Sequence, residues 1–405
     1  MSIFASAHIS RNASPSGSTH VCTAPSSPEA TPSVTTGPKR RNRRQKPHED
    51  HNAVTKRATP WRQQRRVPPT PLPPPPPDLD MRYKTLGRSG LWTSEWVLGT
   101  MTFADGADEA TSRQLFARAR DLGVNHFDCA DLYANGESER ILGRLIQGDR
   151  QALIVTTKAY FPTHADPNAR GASRHHLLHA LDASLRRLNT DYVDIFYLHR
   201  FDPHTPLEES LVTLDDLVRA GKVRYLGLSN FAAWQVVKAL AIQSHLRLSP
   251  AITVIQPMYN LLKRQAEVEL LPMAQSEGLG VLTYSPLAAG MLTGKYLAGT
   301  DTTGRIAVKP RYRQRYGVDA YAEAVQRFVA FATARAIDPV ALAIAWSATH
   351  PAVTAPILGA RTVDQLERAA GAFDLSVTEE LRQALSELTP TPPPATDRNE
   401  ETLPS

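Results

Sequence analysis

Short apolar segments alternate with amphipathic segments along the chain from Glu95 onward. The apolar segments are rich in β-branched residues and predict strands, whereas the amphipathic segments have the period of a helix. The predicted strands are Trp96–Gly99, Val124–Asp128, Ala152–Thr156, Tyr192–Leu198, Val223–Leu228, Ile252–Ile255, Gly280–Tyr284 and Val353–Leu358. The predicted helices are Asp108–Leu122, Glu137–Ile146, Ser173–Leu188, Leu207–Ala220, Ala232–Gln243, Arg264–Glu277, Ala320–Ala336 and Thr362–Ala372.

Eight such units in one domain indicate an α/β protein with a closed (β/α)8 barrel, the TIM-barrel fold. Parallel strands covered by helices are apolar on both faces, as the run Ile195–Leu198 is. An open doubly wound sheet is the alternative, but it needs a Gly-rich turn after its first strand. Residues 99–102 do not supply that turn.

The first 80 residues differ from the rest in composition. They hold 15 of the 32 prolines, and their net charge is +7 against +6 for the whole chain. We therefore predict a disordered basic and Pro-rich leader at 1–80, a barrel domain at 81–388 and a flexible tail at 389–405. We favour a leader that is dispensable for activity. The alternatives are that it attracts nucleic acid, or that its Arg-x-x-Pro-x-x-Pro motif binds a Pro-binding groove of another protein. Because the ordered pattern begins at Met81, a start codon there is a further hypothesis.

The cysteine count and the N-terminal sequence bear on location. Two cysteines, Cys22 and Cys129, imply no disulfide framework and favour a reducing compartment. Residues 1–31 lack the apolar core of a secretory signal, and no run approaches the roughly 18 apolar residues of a membrane span. We expect a cytoplasmic protein with no membrane partner, and no nucleic-acid partner for the near-neutral barrel.

Polar side chains end most of the predicted strands, and in a barrel these ends meet at one face. Taken singly, Asp128 could cap a helix, Lys158 could be a solvated charge, and His199 could belong to the core. Taken together, they indicate one shared site. The residues at or just after these ends are Asp128, Tyr133, Lys158, His199, Ser229, Asn230, Gln256, Tyr284 and Ser285.

Tyr133 is the candidate proton donor of this site. A free tyrosine has a pKa of about 10 and donates poorly at neutral pH. An ammonium such as Lys158 would lower that pKa, and a carboxylate such as Asp128 would hold the ammonium in place. His199 can hydrogen-bond a substrate carbonyl or relay the proton. This chemistry fits protonation of a carbonyl oxygen while another group delivers hydride.

From about Arg82 to Leu388 the chain resembles the aldo-keto reductases, in the bacterial branch related to voltage-gated potassium channel β subunits. Ten motifs in order carry the resemblance, and their order makes it specific. The motifs span Leu98–Phe103, Phe127–Tyr133, Gly136–Glu139, Val155–Lys158, Tyr197–Arg200, Gly227–Asn230, Gln256–Asn260, Tyr284–Ala288, Leu292–Tyr296 and Gly359–Arg361.

The resemblance implies an NADPH-dependent oxidoreductase that reduces an aldehyde or ketone to an alcohol. It implies Tyr133 as general acid, tuned by Lys158 and Asp128, with His199 orienting the carbonyl. It also implies that Ser229, Asn230 and Gln256 hold the carboxamide of the nicotinamide. The implied cofactor-binding residues are Thr100, Met101, Asp128, Ser229, Asn230, Gln256, Tyr284, Ser285, Pro286, Leu287, Ala288, Gly290, Lys295, Arg305, Gly359, Arg361 and Gln365.

Two departures from the family pattern stand near the end of the barrel. Arg368 and Ala369 occupy positions that are often Glu and Asn in the family, so adenine contacts are in doubt there and Arg368 could instead favour NADPH over NADH. Cys129 replaces a small Thr or Ser and is interpreted as filler. No metal is expected, because no cysteine or carboxylate completes a ligand set with His175, His176 and His179.

Two other function classes compete with the reductase. A Schiff-base lyase would use Lys158 but would give Ser229, Asn230 and Gln256 no role. A cofactor-sensing subunit with little turnover is the third class. A small-molecule carbonyl compound is the expected partner, but its identity is not readable, because the loops after Met101, Ala159, Arg200 and Leu287 would form the pocket wall. The oligomeric state is open.

Overall fold

A computed structural model describes residues 81–249, 252–299, 301–396 and 398 of the chain. The leader predicted at 1–80 lies outside the described residues, as do residues 397 and 399–405 of the predicted tail. The described part of that tail, residues 389–396 and 398, contains neither helix nor strand.

Eight parallel strands close into a barrel, which confirms the predicted fold class. Strand β10 pairs with both β3 and β9 and so closes the ring. An antiparallel hairpin of β1 and β2 precedes the barrel and was not predicted. The strands are β1 Tyr83–Thr85, β2 Trp92–Ser94, β3 Val97–Gly99, β4 His126–Asp128, β5 Ile154–Ala159, β6 Val193–Leu198, β7 Val223–Ser229, β8 Ile252–Gln256, β9 Gly280–Thr283 and β10 Ala355–Leu358.

The helices surround the barrel. Those that were predicted lie within three residues of their predicted bounds, except that the helix predicted at Arg264–Glu277 begins at Leu270. Ser173 caps the helix that follows it, because its side chain accepts a hydrogen bond from the His176 N–H. The helices are α1 Glu109–Asp121, α2 Glu137–Leu145, α3 Arg174–Leu188, α4 Leu207–Arg219, α5 Ala233–Leu246, α6 Leu270–Glu277, α7 Arg305–Val308, α8 Pro310–Tyr316, α9 Val318–Ala334, α10 Pro339–Ala348, α11 Val363–Ala370 and α12 Glu379–Ser386.

Four helices were missed, each for a physical reason. Helix α10 is apolar on all sides and almost wholly buried, so it lacks the two-faced pattern that marks a surface helix. Helices α7 and α8 are short and lie in the long connection after β9. Helix α12 lies in the segment after α11, where no further element was predicted.

The β1–β2 hairpin closes the amino-terminal end of the barrel. Leu86 is fully buried and belongs to the barrel's interior cluster with Val97, Ile195 and Tyr197. Gly87 approaches the backbone at the start of β9 so closely that a Cβ there would lie 2.5 Å from the Gly280 nitrogen. The hairpin leaves only the opposite face, at the carboxyl ends of the strands, for a cleft.

No single helix in the described part of the chain is long and apolar enough to cross a membrane. Tyr321–Ala334 and Pro339–Ala348 meet the criteria only as a pair, and that pair is bent by 104°.

Gly227 is required for packing inside the barrel. It pairs in register with Tyr197, and a Cβ at this glycine would lie 2.3 Å from Cε1 of the buried Tyr197 ring. We expect Gly227→Ala to lower the free energy of unfolding by about 1–3 kcal/mol, because a packed interior cannot absorb the added methyl group. Urea denaturation followed by circular dichroism measures this. Gly371→Ala is the control, since a Cβ there meets nothing within 4 Å; equal stability of the two variants would contradict the packing requirement.

Candidate active site

A cleft of about 850 Å³ opens at the carboxyl ends of the barrel strands. This is the face where enzymes of this fold place their active sites. Three of the four predicted catalytic residues line it, namely Asp128, Tyr133 and His199. The predicted cofactor residues that also line it are Met101, Ser229, Asn230, Gln256, Tyr284, Ser285, Pro286, Leu287, Gly290, Lys295, Arg305, Gly359, Arg361 and Gln365.

The remaining predicted residues lie behind the lining. Lys158 is 0% exposed and sits at the floor of the site, on β5. Thr100 is buried, and its hydroxyl donates to the Asp128 carbonyl oxygen. Ala288 is also fully buried. The structure therefore brings the four catalytic candidates together, but it gives the Thr100 and Ala288 side chains no place on the surface of the cleft.

An ion pair between Lys158 and Asp128 forms the floor of the cleft. The Lys158 Nζ lies 2.6 Å from Asp128 Oδ2 and donates a second hydrogen bond of 2.7 Å to the Cys129 carbonyl oxygen. The other carboxylate oxygen, Oδ1, accepts from Thr156 and Gln256, each at 2.9 Å. These bonds replace the water that two buried charges would otherwise hold.

The Tyr133 ring lies next to this pair. The Lys158 Nζ is 5.3 Å from its centroid, and the His199 ring meets it edge-on with centroids 6.3 Å apart. Burial, followed by the negative charge of Asp128, raises the pKa of the Tyr133 phenol well above its ordinary value. The net shift is thus upward, opposite to the lowering expected from Lys158 alone, because burial and the Asp128 charge dominate. The phenol keeps its proton at neutral pH.

His199 is uncharged in this site. Burial, followed by the positive charge of Lys158, lowers the pKa of the imidazole well below its usual range. Phe161 packs edge-on against the other side of the ring, with centroids 5.1 Å apart. A neutral imidazole can donate its single N–H in a hydrogen bond to a carbonyl oxygen, but it lacks the second proton that an imidazolium would release. Of the two roles left open by the sequence, orientation of the carbonyl fits this electrostatics and a proton relay through an imidazolium does not.

The amide-binding candidates form a connected hydrogen-bond network. Asn230 Nδ2 donates to the His199 carbonyl oxygen at 2.9 Å and to the Ser229 hydroxyl at 3.0 Å. The Tyr284 hydroxyl donates to Asn230 Oδ1 at 2.7 Å. Asn230 and Ser285 both have positive φ, of 56° and 64°. Such strained backbone persists where a structure fixes polar groups at a functional surface.

Several cations line the cleft, and they differ in their partners. Lys295 pairs with Asp301 at 3.1 Å, and Arg368 pairs with Asp338 at 2.5 Å. Among the described residues, Arg305 and Arg361 have no carboxylate partner. Gln365 Oε1 accepts a hydrogen bond from the Arg361 backbone N–H. Because Asp338 already engages Arg368, the idea that Arg368 adds a free positive charge for the cofactor loses its basis.

Some cleft residues were not singled out from the sequence. Leu132 and Phe161 lie in loops after β4 and β5, and the second of these loops was expected to form the pocket wall. Arg311, Tyr312 and Arg315 come from helix α8. The signal for them was the Arg-rich composition of the long connection after β9, which did not show which positions face the cleft.

Two residues beside the catalytic set have strongly shifted acidity. Burial raises the pKa of the Cys129 thiol to about 12, and its Sγ lies 3.3 Å from the Ser138 hydroxyl, which suits the filler role. Asp131 stands two residues before Tyr133. It is 2% exposed, and burial, followed by the charge of Glu139, raises the pKa of its carboxyl to about 8.

The Asp131 carboxyl makes stability depend on pH. Its folded-state pKa exceeds the unfolded value, so the folded state binds the proton more tightly and loses stability as pH rises from about 4 to about 8. We expect Asp131→Asn to unfold at a higher temperature than the unmodified protein, by a margin that widens over this range. Thermal unfolding at several pH values measures the margin. Asp121→Asn, at an exposed position, should give a flat margin; parallel profiles for both variants would contradict the assignment.

Comparisons with known proteins agree with this geometry. A sequence model of the Aldo/keto reductase family matches residues 95–389. The chain is 37% identical to the uncharacterized oxidoreductase YrpG of Bacillus subtilis, over 77% of this chain and 97% of that protein. It is 37% identical to a probable voltage-gated potassium channel subunit beta of Oryza sativa (73% and 92%), and 34% identical to L-glyceraldehyde 3-phosphate reductase of Escherichia coli (75% and 91%). The chain therefore belongs to the aldo/keto reductase family of oxidoreductases.

Proposed function

We propose that this protein is an NADPH-dependent reductase that converts an aldehyde or ketone to an alcohol, with Tyr133 as general acid. The proposal rests on one observation above all. A protonated phenol and a neutral imidazole face the same cleft, directly over a buried ammonium–carboxylate pair. That combination suits a reaction in which a carbonyl oxygen gains negative charge and then a proton.

The residues divide the work as follows. The carbonyl oxygen accepts hydrogen bonds from the Tyr133 hydroxyl and the His199 imidazole. When bound, the cofactor supplies the hydride that the carbonyl carbon accepts. Tyr133 gives its proton to the oxygen, and the Lys158 ammonium, 5.3 Å from the ring, stabilises the phenolate that remains. Asp128 holds Lys158 in place, so it acts through the lysine.

The cleft offers matching groups for NADPH. Ser229, Asn230 and Gln256 provide donors and acceptors for a carboxamide. Lys295 and Arg305 suit a pyrophosphate, and the Arg361 guanidinium suits a 2′-phosphate. Gly106 makes room for that arginine, because a Cβ there would lie 3.0 Å from Arg361 Nε.

The two competing function classes differ in how well they suit the site. Lys158 is fully buried and paired with Asp128, so it is poorly placed to form a Schiff base with a substrate. A cofactor-sensing subunit with slow turnover would share the cleft, and turnover measurements distinguish it. The cytoplasmic location inferred from the sequence stays a prediction, as does the small-molecule carbonyl substrate.

Tyr133→Phe tests the general acid. We expect kcat for carbonyl reduction to fall about 10²–10⁴-fold, because the proton donor is lost. The affinity for NADPH, followed by protein fluorescence quenching, should change less than about twofold, since the ring remains. Tyr192→Phe, just before the amino-terminal end of β6, is the matched control and should leave both values unchanged. Undiminished turnover by the Tyr133 variant would rule out the proposed role.

Arg361→Gln tests the cofactor preference. A lost charge-assisted contact to phosphate is worth about 1.5–3 kcal/mol, so the Kd for NADPH should rise about 10–100-fold. The Kd for NADH, which lacks the 2′-phosphate, should stay nearly constant. Fluorescence titration with both nucleotides measures the difference, with Arg113→Gln on the exposed side of α1 as control. An equal loss for both nucleotides would assign Arg361 to another part of the cofactor.

A further inference from the structure

Helix α8 brings two arginines to the cleft that the proposed mechanism does not use. Arg311 and Arg315 both line the cleft, and neither has a carboxylate partner among the described residues. The acidic side chain that lines the same cleft, Asp128, is already neutralised by Lys158. The positive charge of these two arginines is therefore uncompensated within this part of the chain.

The two guanidinium groups are held around one aromatic ring. The Cζ atoms of Arg311 and Arg315 each lie 5.2 Å from the centroid of Tyr312, and Arg305 lies 5.4 Å from it. Like charges at positions i and i+4 repel and weaken a helix. Contact with the ring face offsets part of that repulsion and restricts where the charges can go. The arrangement concentrates positive charge at a fixed place without providing a counter-ion.

That place is close to the reacting groups. Tyr312 is 6% exposed, and its hydroxyl lies 3.8 Å from the Met101 sulfur atom. Proximity of the Tyr312 phenol contributes to the raised pKa values of Tyr133 and Tyr284, whereas the Arg315 charge acts to lower that of Tyr284. Helix α8 therefore lines the same cleft as Tyr133, through Arg311, Tyr312 and Arg315.

The charges on the cofactor do not account for these two arginines. The pyrophosphate and the 2′-phosphate already have Lys295, Arg305 and Arg361 in the proposed arrangement. A substrate bound at Tyr133 occupies the same cleft as the groups around Tyr312. A neutral carbonyl compound would leave Arg311 and Arg315 without a partner, whereas an anionic one would pair with them.

We infer that the carbonyl substrate carries an oxyanion, either a carboxylate or a phosphate, which binds to Arg311 and Arg315 beside Tyr312. This inference deepens the proposed function and depends on it for the carbonyl part. Binding of the anionic group would orient the carbonyl toward Tyr133 and His199 and would discriminate against uncharged aldehydes.

The test compares matched charged and neutral substrates in the unmodified protein and in Arg311→Gln/Arg315→Gln. The carboxylate pair is 4-carboxybenzaldehyde and its methyl ester; the phosphate pair is glyceraldehyde 3-phosphate and glyceraldehyde. We expect the unmodified protein to favour the anionic member of at least one pair. The double variant should raise KM for that compound about 10–100-fold while the neutral partner changes less than about twofold. The more affected pair identifies the oxyanion.

Binding measurements separate this inference from the proposed function. The Kd for NADPH should be unchanged in the double variant; a rise comparable to the change in KM would assign the arginines to the cofactor and overturn the inference. Arg313→Gln, on the same helix but outside the cleft lining, is the control and should behave like the unmodified protein. Equal KM values in all three proteins would also overturn the inference.

A calorimetric titration covers the case in which no carbonyl compound turns over. The ligands are 4-(hydroxymethyl)benzoate and its methyl ester, added in the presence of NADP⁺. Binding of the anion that is lost in the double variant would support the arginine site even though the proposed reaction had failed. Equal affinity for the anion and the ester would refute it.

Discussion

The buried ion pair between Lys158 and Asp128 is the interaction on which the site depends. Removing two charges from water is costly, and their mutual attraction offsets the cost only when hydrogen bonds satisfy the remaining atoms. Here Thr156, Gln256 and the Cys129 carbonyl oxygen supply those bonds from three neighbouring segments. The barrel makes this possible, since β4 and β5 pair in register and closure of the ring brings Gln256 of β8 across to Asp128 from the opposite wall. Fold and site are therefore coupled through one pair of charges.

The pair also sets the state of its neighbours. A lone ammonium under Tyr133 would favour the phenolate, but an ammonium already matched by a carboxylate is nearly neutral in its effect, and burial then favours the phenol. The same burial keeps His199 uncharged. Both groups therefore face the cleft as neutral hydrogen-bond donors. In the proposed reaction, the ammonium acts mainly when negative charge develops on the Tyr133 oxygen, and stabilisation at that point would accelerate the reaction.

The barrel and its strand ends could be read from the sequence because both depend on local patterns. Apolar runs of strand length mark β3 to β10, and the residue after each run is placed by the fold class alone. Features that depend on distant contacts were not accessible in this way. Helix α10 is hidden by its uniform apolarity, and the β1–β2 hairpin gains its place only by inserting Leu86 into the barrel. Whether the side chains of Arg311 and Arg315 line the cleft depends on how α8 packs beside it. The direction of the Tyr133 pKa shift depends on burial, which no spacing of residues reports.

Two aspartates three residues apart show why residue type and motif position do not decide a role. Asp128 ends a strand, and its carboxylate meets an ammonium, a hydroxyl and an amide. Asp131 lies three residues later and is equally buried, and the negative charge of Glu139 acts on it. The Arg187 guanidinium could offset a charge on Asp131, but it is already paired with Glu139 at 2.6 Å. The first carboxyl accepts these hydrogen bonds and anchors the lysine. Burial and a like charge raise the pKa of the second carboxyl to about 8. The two carboxyls differ in the hydrogen-bond donors that surround them. The closed barrel determines which donors those are, and the motif does not.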